Sequence, residues 1–265
     1  MSKKTEYIKR LTENWVKCGV NSGDTLLVHS NIKRTLVNAR RKGIQLTPDD
    51  ILDSFLDCLG SSGTLMLPLF NFDFPTTKHF DIRHTPSQMG ALTEVARKRS
   101  DVVRTGHPIY SFAIFGKEKD KFNGLVNESG YGKDSPFGLL YSLDGKIASL
   151  DLEDQNSMTF YHFIEEAMKV DYRYFKTFSG TYIDSDGYES EMDFKLFVRN
   201  IERKVYTNVN PAGDLLWKNG LYRGDRPKEN VGLRTIQATR MYSFVSNLIK
   251  EGRAEGNLFI YRENE

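Results

Sequence analysis

The sequence predicts an α/β protein with a mixed central β-sheet sandwiched by helices and a smaller β-rich second lobe. Apolar, β-branched runs alternate with amphipathic helical patterns through the first 170 residues, which is typical of a sheet covered by helices on both faces. A hairpin-like segment follows at 172–189, with a turn at 184–187 (DSDG). We therefore expect a core region over 1–170 and a second lobe over 171–265 that also completes the fold, or both in one domain.

Apolar residues three and four positions apart predict the helices. The clearest helix covers 47–59, since Thr47 is a good N-cap, Pro48 suits the first turn and acidic residues follow. Glycines just after this segment end it. Further helices are predicted over 5–18, 89–100, 117–127, 156–170 and 231–251.

Short apolar runs between turn residues predict the strands. TLLVHS near 25–29 and TLMLPLF at 64–70 are predicted as buried strands of the central sheet. A third strand, at 102–116, is interrupted at the Gly-His-Pro sequence 106–108 and resumes at Tyr110. Strands at 146–152 and 258–262 complete the set.

Composition excludes several classes of protein and partner. The 37 basic and 35 acidic residues are interspersed, giving a net charge of +2, so nucleic acid is not an expected partner. No apolar run is long enough to cross a membrane. The two cysteines and five histidines are too dispersed for a disulfide framework or a metal site. The first ten residues lack the apolar stretch of a secretory signal, so a cytoplasmic protein is expected.

Common nucleotide-binding and hydrolase motifs are missing. The chain has no G-x-G-x-x-G after a strand, no G-x-x-x-x-G-K-[ST] and no G-x-S-x-G. The segment LLVHSNIKR at 26–34 instead places backbone N–H groups at a strand end, with Lys33 and Arg34 close by. Such a strand end suits a phosphate or pyrophosphate, and a solvated surface pair is the alternative.

A histidine and a glutamate on the helix predicted over 156–170 form a second candidate site. His162 and Glu165 are three positions apart, so both side chains lie on one helix face and the carboxylate can orient the imidazole. An imidazole with a pKa near 6.5 is a suitable general base for an amine that attacks a thioester. Backbone N–H groups of the interrupted strand, at 105–111, are candidates for the oxyanion hole.

Six short motifs then occur in one order between Gly19 and Ala167. They are VHSNI, GTLMLP, FD-x-x-x-TPS-x-MGALTE, VVR-x-x-HP-x-x-SF, SPFG-x-LY and N-x-x-TF-x-H-x-x-E. In this order and spacing they resemble the aminoglycoside 3-N-acetyltransferase family of CoA-dependent N-acyltransferases. The chain departs from the usual family pattern at Asn31 and Ile32, where small residues are common, and in YHFIE, where LHLAE is common. A different acceptor pocket is therefore expected.

The resemblance implies an acyl-CoA co-substrate, either acetyl-CoA or a longer hydroxyacyl-CoA, and a region over 1–170 that binds it. The expected CoA site lies at the end of the first strand and around the HP-x-x-S loop, and the acceptor amine lies near the N-x-x-TF-x-H-x-x-E helix. The predicted coenzyme contacts are His29, Ser30, Asn31, Lys33, Arg34, Thr105, His107 and Ser111. The predicted acceptor contacts are Phe70, Asp73, Ser87, Asn156 and Thr159, with His162 and Glu165 as catalytic residues.

Several candidates also have a purely structural interpretation. His162 and His29 are alternatively core histidines, His107 shapes its loop, and Ser111 satisfies a neighbouring backbone group. Ser87 is alternatively a helix N-cap. The acidic run at 151–154 holds a cationic substrate or simply faces solvent.

The leading functional hypothesis is acyl transfer from acyl-CoA to the amine of a nucleotide-linked amino-deoxy sugar, a precursor of a surface polysaccharide. The sequence pI of about 8.3 and the aromatic residues at 160–175 favour this acceptor over a polycation. An aminoglycoside antibiotic is the alternative acceptor, and a catalytically silent protein that binds CoA or a nucleotide is the alternative of another class. Small molecules are the expected partners, with a homodimer as a further expectation.

Overall fold

A seven-stranded mixed sheet forms the centre of the protein, described by a computed structural model over residues 2–225 and 231–262. Its strands follow the order β10-β11-β6-β1-β2-β5-β4. They are β1 (Thr25–Ser30), β2 (Thr64–Pro68), β4 (Val103–Arg104), β5 (Phe112–Gly116), β6 (Lys146–Leu150), β10 (Arg223–Gly224) and β11 (Leu233–Gln237). Strands β1, β2 and β6 are parallel, whereas β5 and β11 pair antiparallel with β2 and β6. The predicted mixed central sheet is confirmed.

Nine helices accompany the strands in the described part of the chain. They are α1 (Lys3–Lys17), α2 (Lys33–Arg41), α3 (Pro48–Leu59), α4 (Phe74–Thr77), α5 (Ala91–Arg97), α6 (Pro136–Ser142), α7 (Phe160–Ala167), α8 (Asn210–Lys218) and α9 (Ala238–Lys250). The N-cap expected at Thr47 is confirmed and is part of a capping box, since Thr47 Oγ1 accepts from the Asp50 N–H and Asp50 bonds back to the Thr47 N–H. No helix among the described residues is long and apolar enough to cross a membrane.

Each face of the sheet carries its own hydrophobic core. Leu26 and Val28 of β1 pack with α1, α3 and α5, while Leu27, between them, packs with α6, α7 and α9. This division follows from the two-residue period of a strand, which sends successive side chains to opposite faces. The run LLV is therefore apolar throughout because both faces are covered.

Two smaller sheets form the β-rich part that the sequence predicts. The hairpin of β7 (Arg173–Ile183) and β8 (Glu189–Arg199) is longer than expected and pairs with β3 (His79–Asp81). Strand β9 (Val205–Thr207) pairs with β12 (Phe259–Tyr261). The hairpin turn at 184–187 is confirmed, with Asp184 Oδ1 accepting from the N–H groups of Asp186 and Tyr188.

Four expected elements differ in the structure. The helix predicted over 117–127 is reduced to a 3-10 turn at Lys119–Lys121. Of the segment 231–251, predicted as one helix, only α9 is helical. The residues before it form strand β11, because they pair along β6 and are almost entirely buried. The helix over 89–100 shortens to α5, and its N-cap is Gly90. The Ser87 hydroxyl accepts instead from the Met89 N–H. The helix over 156–170 shortens to α7, preceded by a 3-10 turn at Asp154–Asn156.

Candidate active site

The candidate site lies at the edge of the central sheet where the parallel strands end. His29 and Ser30 end β1, Pro68 ends β2, and Asp151 follows the end of β6. Crevices outside the carboxyl ends of parallel strands are the usual ligand sites of open α/β sheets. The sequence places polar side chains at these positions because the chain leaves the core there.

Two adjoining spaces occupy this edge. The catalytic cavity has a volume of about 230 Å³ and contains His162. Its walls combine aromatic, apolar and small polar side chains: His29, Phe70, Phe72, Met89, Tyr110, Asp154, Gln155, Asn156, Ser157, Met158, Thr159, Thr207 and Val209. The second space is larger and shares His29, Met89 and Asn156 with the first. The two spaces therefore meet at these three side chains.

His162 is held by a buried carboxylate, as the sequence predicts from its spacing. Its Nδ1 lies 2.7 Å from Glu165 Oε2, and Glu165 is completely buried. The Arg173 Nε lies 2.7 Å from the same oxygen, and the Tyr172 hydroxyl donates to Oε1 over 3.0 Å. The carboxylate is thus fixed from three sides and cannot turn away from the imidazole.

The titration of the two groups suits a base that is neutral near pH 7. Burial lowers the pKa of His162, as does the charge of Arg173, and these effects outweigh the opposing influence of Glu165. Burial alone would raise the pKa of Glu165, but Arg173 and the hydrogen bonds from His162 and Tyr172 bring it below its usual value. Since Glu165 is ionised, it accepts the proton on Nδ1, which leaves a lone pair on Nε2 of His162.

Helix α7 is fixed by an aromatic face and a buried acid. Phe160, Phe163 and Ile164 pack into the core, and the Tyr161 hydroxyl donates to Asp154 Oδ2 over 2.8 Å. The Tyr222 hydroxyl donates to the same oxygen, and Arg234 Nη2 donates to Oδ1 over 2.7 Å. The acidic run at 151–154 therefore does not simply face solvent, because Asp154 anchors the site from within.

The larger space belongs to a groove beside α2, which consists of two connected parts of about 660 and 600 Å³. Both are lined by Asn31, Lys33, Val37, Leu152 and Asn156. The predicted Arg34 lines the outer space together with Asp151 and with Arg41, which the sequence did not single out. The groove thus has an apolar inner part beside His29 and a charged outer part, where three basic residues of α2 lie with Asp151 and Glu153.

His29 occupies the junction of the groove and the catalytic cavity. It is 4% exposed, and its Nε2 forms no hydrogen bond with any described residue. Burial, together with the charge of Arg234, lowers its pKa to about 3, so the imidazole is neutral. The structure brings this predicted residue to the groove, along with Ser30, Asn31, Lys33 and Arg34.

Three predicted coenzyme contacts lie elsewhere. Thr105, His107 and Ser111 are 0% exposed and line none of the spaces described above. Thr105 Oγ1 accepts from the Phe112 N–H, and His107 Nδ1 accepts from the N–H groups at 109 and 110. The Ser111 hydroxyl donates to the Leu69 carbonyl. These side chains shape the strand interruption from inside, which for His107 and Ser111 is the structural interpretation given above.

Some of the predicted acceptor contacts line the cavity and others do not. Phe70, Asn156 and Thr159 line the catalytic cavity. Asp73 is exposed beside Phe72 but is not part of the cavity wall, and Ser87 bonds Thr93 and Met89. The sequence did not single out Arg173, Tyr172 or Thr207 as site residues. They belong to the β-rich part, and only the folding of that part against α7 brings them to the site.

Comparisons with known proteins place this geometry in a family. Residues 27–250 match the family model described as Antibiotic_NAT, aminoglycoside 3-N-acetyltransferase. The chain is 27% identical over 179 residues to the SPbeta prophage-derived aminoglycoside N(3')-acetyltransferase-like protein YokD of Bacillus subtilis (strain 168), covering 58% of this chain and 63% of that protein. The sequence match thus spans less than two thirds of this relative.

Solved structures share the fold over nearly the whole chain. Aminoglycoside acetyltransferase AAC(3)-Xa superposes with a TM-score of 0.75 at 20% identity, over 94% of this chain and 97% of that one. AAC-IIIb, solved as a binary complex with CoASH, superposes with a TM-score of 0.74 at 17% identity, over 97% and 98%. These likenesses concern the fold alone. With most of its length matched by the family model, the chain belongs to the aminoglycoside 3-N-acetyltransferase family.

Proposed function

We propose that this protein transfers an acyl group, with acetyl as the first candidate, from acyl-CoA to the amine of an amino-sugar acceptor. The observation that carries the proposal is the His162–Glu165 contact of 2.7 Å at the wall of a cavity that adjoins the groove at His29, Met89 and Asn156. A base at the meeting point of two ligand spaces is the arrangement that a direct transfer between two substrates requires.

The reaction follows from the positions of the groups. The acceptor's neutral amine attacks the thioester carbonyl, so that a C–N bond forms while the C–S bond breaks. His162 Nε2 takes the proton that leaves the nitrogen and passes it to the departing thiolate, giving an amide and free CoA-SH. Glu165 orients the ring and stabilises the imidazolium that forms in between. No protein nucleophile takes part, and both cysteines are buried.

The groove supports CoA as the donor. Lys33, Arg34 and Arg41 line its outer part, where they suit the phosphates of the coenzyme. The inner part, with Leu36, Met89 and Leu92, suits the uncharged pantetheine arm. The complex of the structural neighbour AAC-IIIb with CoASH supports the same assignment.

Two acceptors remain to be compared. The family description and the name of AAC(3)-Xa favour an aminoglycoside, which was the alternative rather than the leading hypothesis from sequence. A nucleotide-linked amino sugar is the second candidate. It is favoured by one observation, that Asp154 is the cavity's single carboxylate among the described residues and is already paired with Arg234.

Thiol release from acetyl-CoA tests the proposal, with kanamycin and a nucleotide-linked amino sugar in parallel. Turnover with either acceptor, accompanied by an amide product in mass spectrometry, supports acyl transfer. A protein that binds CoA yet turns over no amine would instead be the catalytically silent binder.

A further inference from the structure

The groove and the catalytic cavity meet at His29, Met89 and Asn156, the three side chains that line both. In the proposed transfer the thioester carbonyl has to lie at this junction, because the pantetheine arm comes from the groove and the attacking amine lies beside His162. The carbonyl oxygen becomes an oxyanion during the attack, and hydrogen-bond donors aimed at it usually stabilise the transition state most. The junction therefore needs a donor.

The backbone of the interrupted strand is largely engaged in bonds of its own. Four of the N–H groups that the sequence suggests for the oxyanion hole already donate within the protein: those of Thr105, Gly106, Ile109 and Tyr110. Two of them donate to His107 Nδ1, and the other two donate to backbone carbonyls. An N–H group that keeps such a bond is not free for a substrate oxygen, so the side chains at the junction are the better-placed donors.

Of the three side chains at the junction, His29 has the nitrogen without a partner. The thioether of Met89 has no N–H group, and Asn156 Nδ2 donates to Glu153 Oε1 over 2.8 Å. His29 Nε2 bonds no described residue, although His29 is only 4% exposed. Buried polar atoms nearly always have a hydrogen-bond partner, so an exception calls for an explanation. A nitrogen that bonds a substrate oxygen explains this one.

The His29 ring is also held in place and uncharged. Its backbone lies within the sheet, opposite Ser149 of β6, and the ring packs edge-on against Phe70 with the centroids 6.2 Å apart. Burial and the charge of Arg234 lower the pKa of His29 to about 3. A neutral, fixed imidazole polarises a carbonyl through its N–H group and does not compete with the base for the amine's proton.

We infer that His29 donates a hydrogen bond from Nε2 to the carbonyl oxygen of the bound thioester and stabilises the oxyanion that forms there. This inference rests on the proposed acyl transfer and adds a second catalytic histidine to it. As the amine attacks, the C–N bond forms and the carbonyl π electrons move to the oxygen. When the C=O bond forms again, the C–S bond breaks and its electron pair leaves with the thiolate. The proton from the nitrogen passes through His162 to the thiolate, and His29 keeps its own proton throughout.

Two substitutions at His29 separate the donor from the volume of the side chain. His29→Gln keeps an N–H group near the position of Nε2, whereas His29→Met keeps a similar length and removes the donor. We expect kcat to fall about 10²- to 10³-fold in His29→Met, the cost of one oxyanion-hole donor, and His29→Gln to retain about tenfold more activity than His29→Met. Affinity for acetyl-CoA should stay within about twofold of the parent, because the bond strengthens in the transition state. His79→Gln, which changes an exposed histidine of β3, should alter neither quantity.

Three readouts distinguish a donor from a histidine that only supports the fold. Both variants should unfold at a parent-like temperature, because the fold loses no hydrogen bond of Nε2. The acidic limb of kcat/KM should stay at the parent's pH in His29→Met, since His29 is neutral throughout that range. In infrared difference spectra, the carbonyl band of acetyl-CoA labelled with ¹³C at the thioester should move to lower frequency on binding to the parent and less so in His29→Met.

The outcomes separate this inference from the proposed function. Parent-like kcat in His29→Met, or a labelled carbonyl band that does not move on binding to the parent, would overturn the role of His29 and leave acyl transfer intact. An acidic limb that shifts in His29→Met would also overturn it, because His29 would then act as a titrating base. Failure of the parent protein to bind acetyl-CoA or to acylate any amine would overturn the proposed function, and this inference with it.

Discussion

Replacing Glu165 by glutamine tests both the architecture and the chemistry of the site. The substitution keeps the shape of the side chain but removes the charge that pairs with Arg173 at 2.7 Å and orients His162 at 2.7 Å. An amide can also present its N–H₂ to Nδ1, which favours the wrong tautomer. We expect kcat to fall about 10²- to 10⁴-fold, the usual range for loss of an oriented general base.

The same substitution should weaken the fold. Glu165 is completely buried and Arg173 is 8% exposed, so the variant leaves a guanidinium in the interior without its counter-ion. Breaking one partner of a buried ion pair typically costs about 3–5 kcal/mol. Because burial of such a charge is unfavourable on its own, the double variant Glu165→Gln/Arg173→Met should recover much of this free energy of unfolding. It should not recover activity.

The pH dependence of stability checks in which direction Glu165 changes the free energy of unfolding. The folded-state pKa of Glu165 lies below its usual value, so its contribution to stability is complete above about pH 4.3 and is lost as pH falls through the folded-state pKa. The gap in free energy of unfolding between the parent and Glu165→Gln should therefore be largest at neutral pH and narrow below about pH 4.

Denaturant unfolding followed by circular dichroism, together with thiol release under saturating acetyl-CoA, measures both effects. Glu166→Gln is the matched control, since Glu166 lies on the same helix but bonds Ser129 and not His162. A variant at Glu165 that retains near-parent kcat, or a double variant that regains activity with stability, would refute the positioning role of this carboxylate.

Three further predictions follow from the same geometry. The acidic limb of kcat/KM should lie below pH 6.5, because the lowered pKa of His162 keeps the base neutral to lower pH; a limb above 6.5 in initial rates at varied pH would contradict it. Arg34→Gln should raise KM for acetyl-CoA about three- to tenfold with kcat unchanged, and high salt should reduce this effect. An unaltered KM would show that Arg34 does not bind the coenzyme. Ser111→Ala should lower the free energy of unfolding by about 1–3 kcal/mol with KM for acetyl-CoA unchanged, since Ser111 bonds Leu69 and Arg104 inside the protein; a raised KM with unchanged stability would restore it as a coenzyme contact.

The local part of this site is readable from sequence. His162 and Glu165 meet because residues three apart share a helix face, and His29 reaches the sheet edge because its strand ends in polar residues. The basic pair Lys33 and Arg34 follows the end of the same strand and lines the groove there. In each case the relevant distance is a few residues along one element, where periodicity alone fixes the geometry.

The contacts that the sequence did not predict join segments that are far apart in the chain. Arg173 reaches Glu165 only because the β7–β8 hairpin folds back on α7, and Arg234 reaches Asp154 across 80 residues. The local pattern predicts a helix from residue 231, but the buried pairing of Leu233–Gln237 with β6 overrides it and forms strand β11. Ser111 belongs to a motif, and a motif does not distinguish a side chain that faces a ligand from one that holds the backbone in place.

Single-turnover transfer by His162→Asn tests the central claim most directly. The protein is mixed with acetyl-CoA and the best acceptor, and amide formation is followed alongside the affinity for CoA. The account predicts a transfer rate lower by about 10²- to 10⁴-fold with CoA affinity within about twofold of the parent. Parent-like transfer in this variant would contradict it, because the proton would then leave the amine without the imidazole.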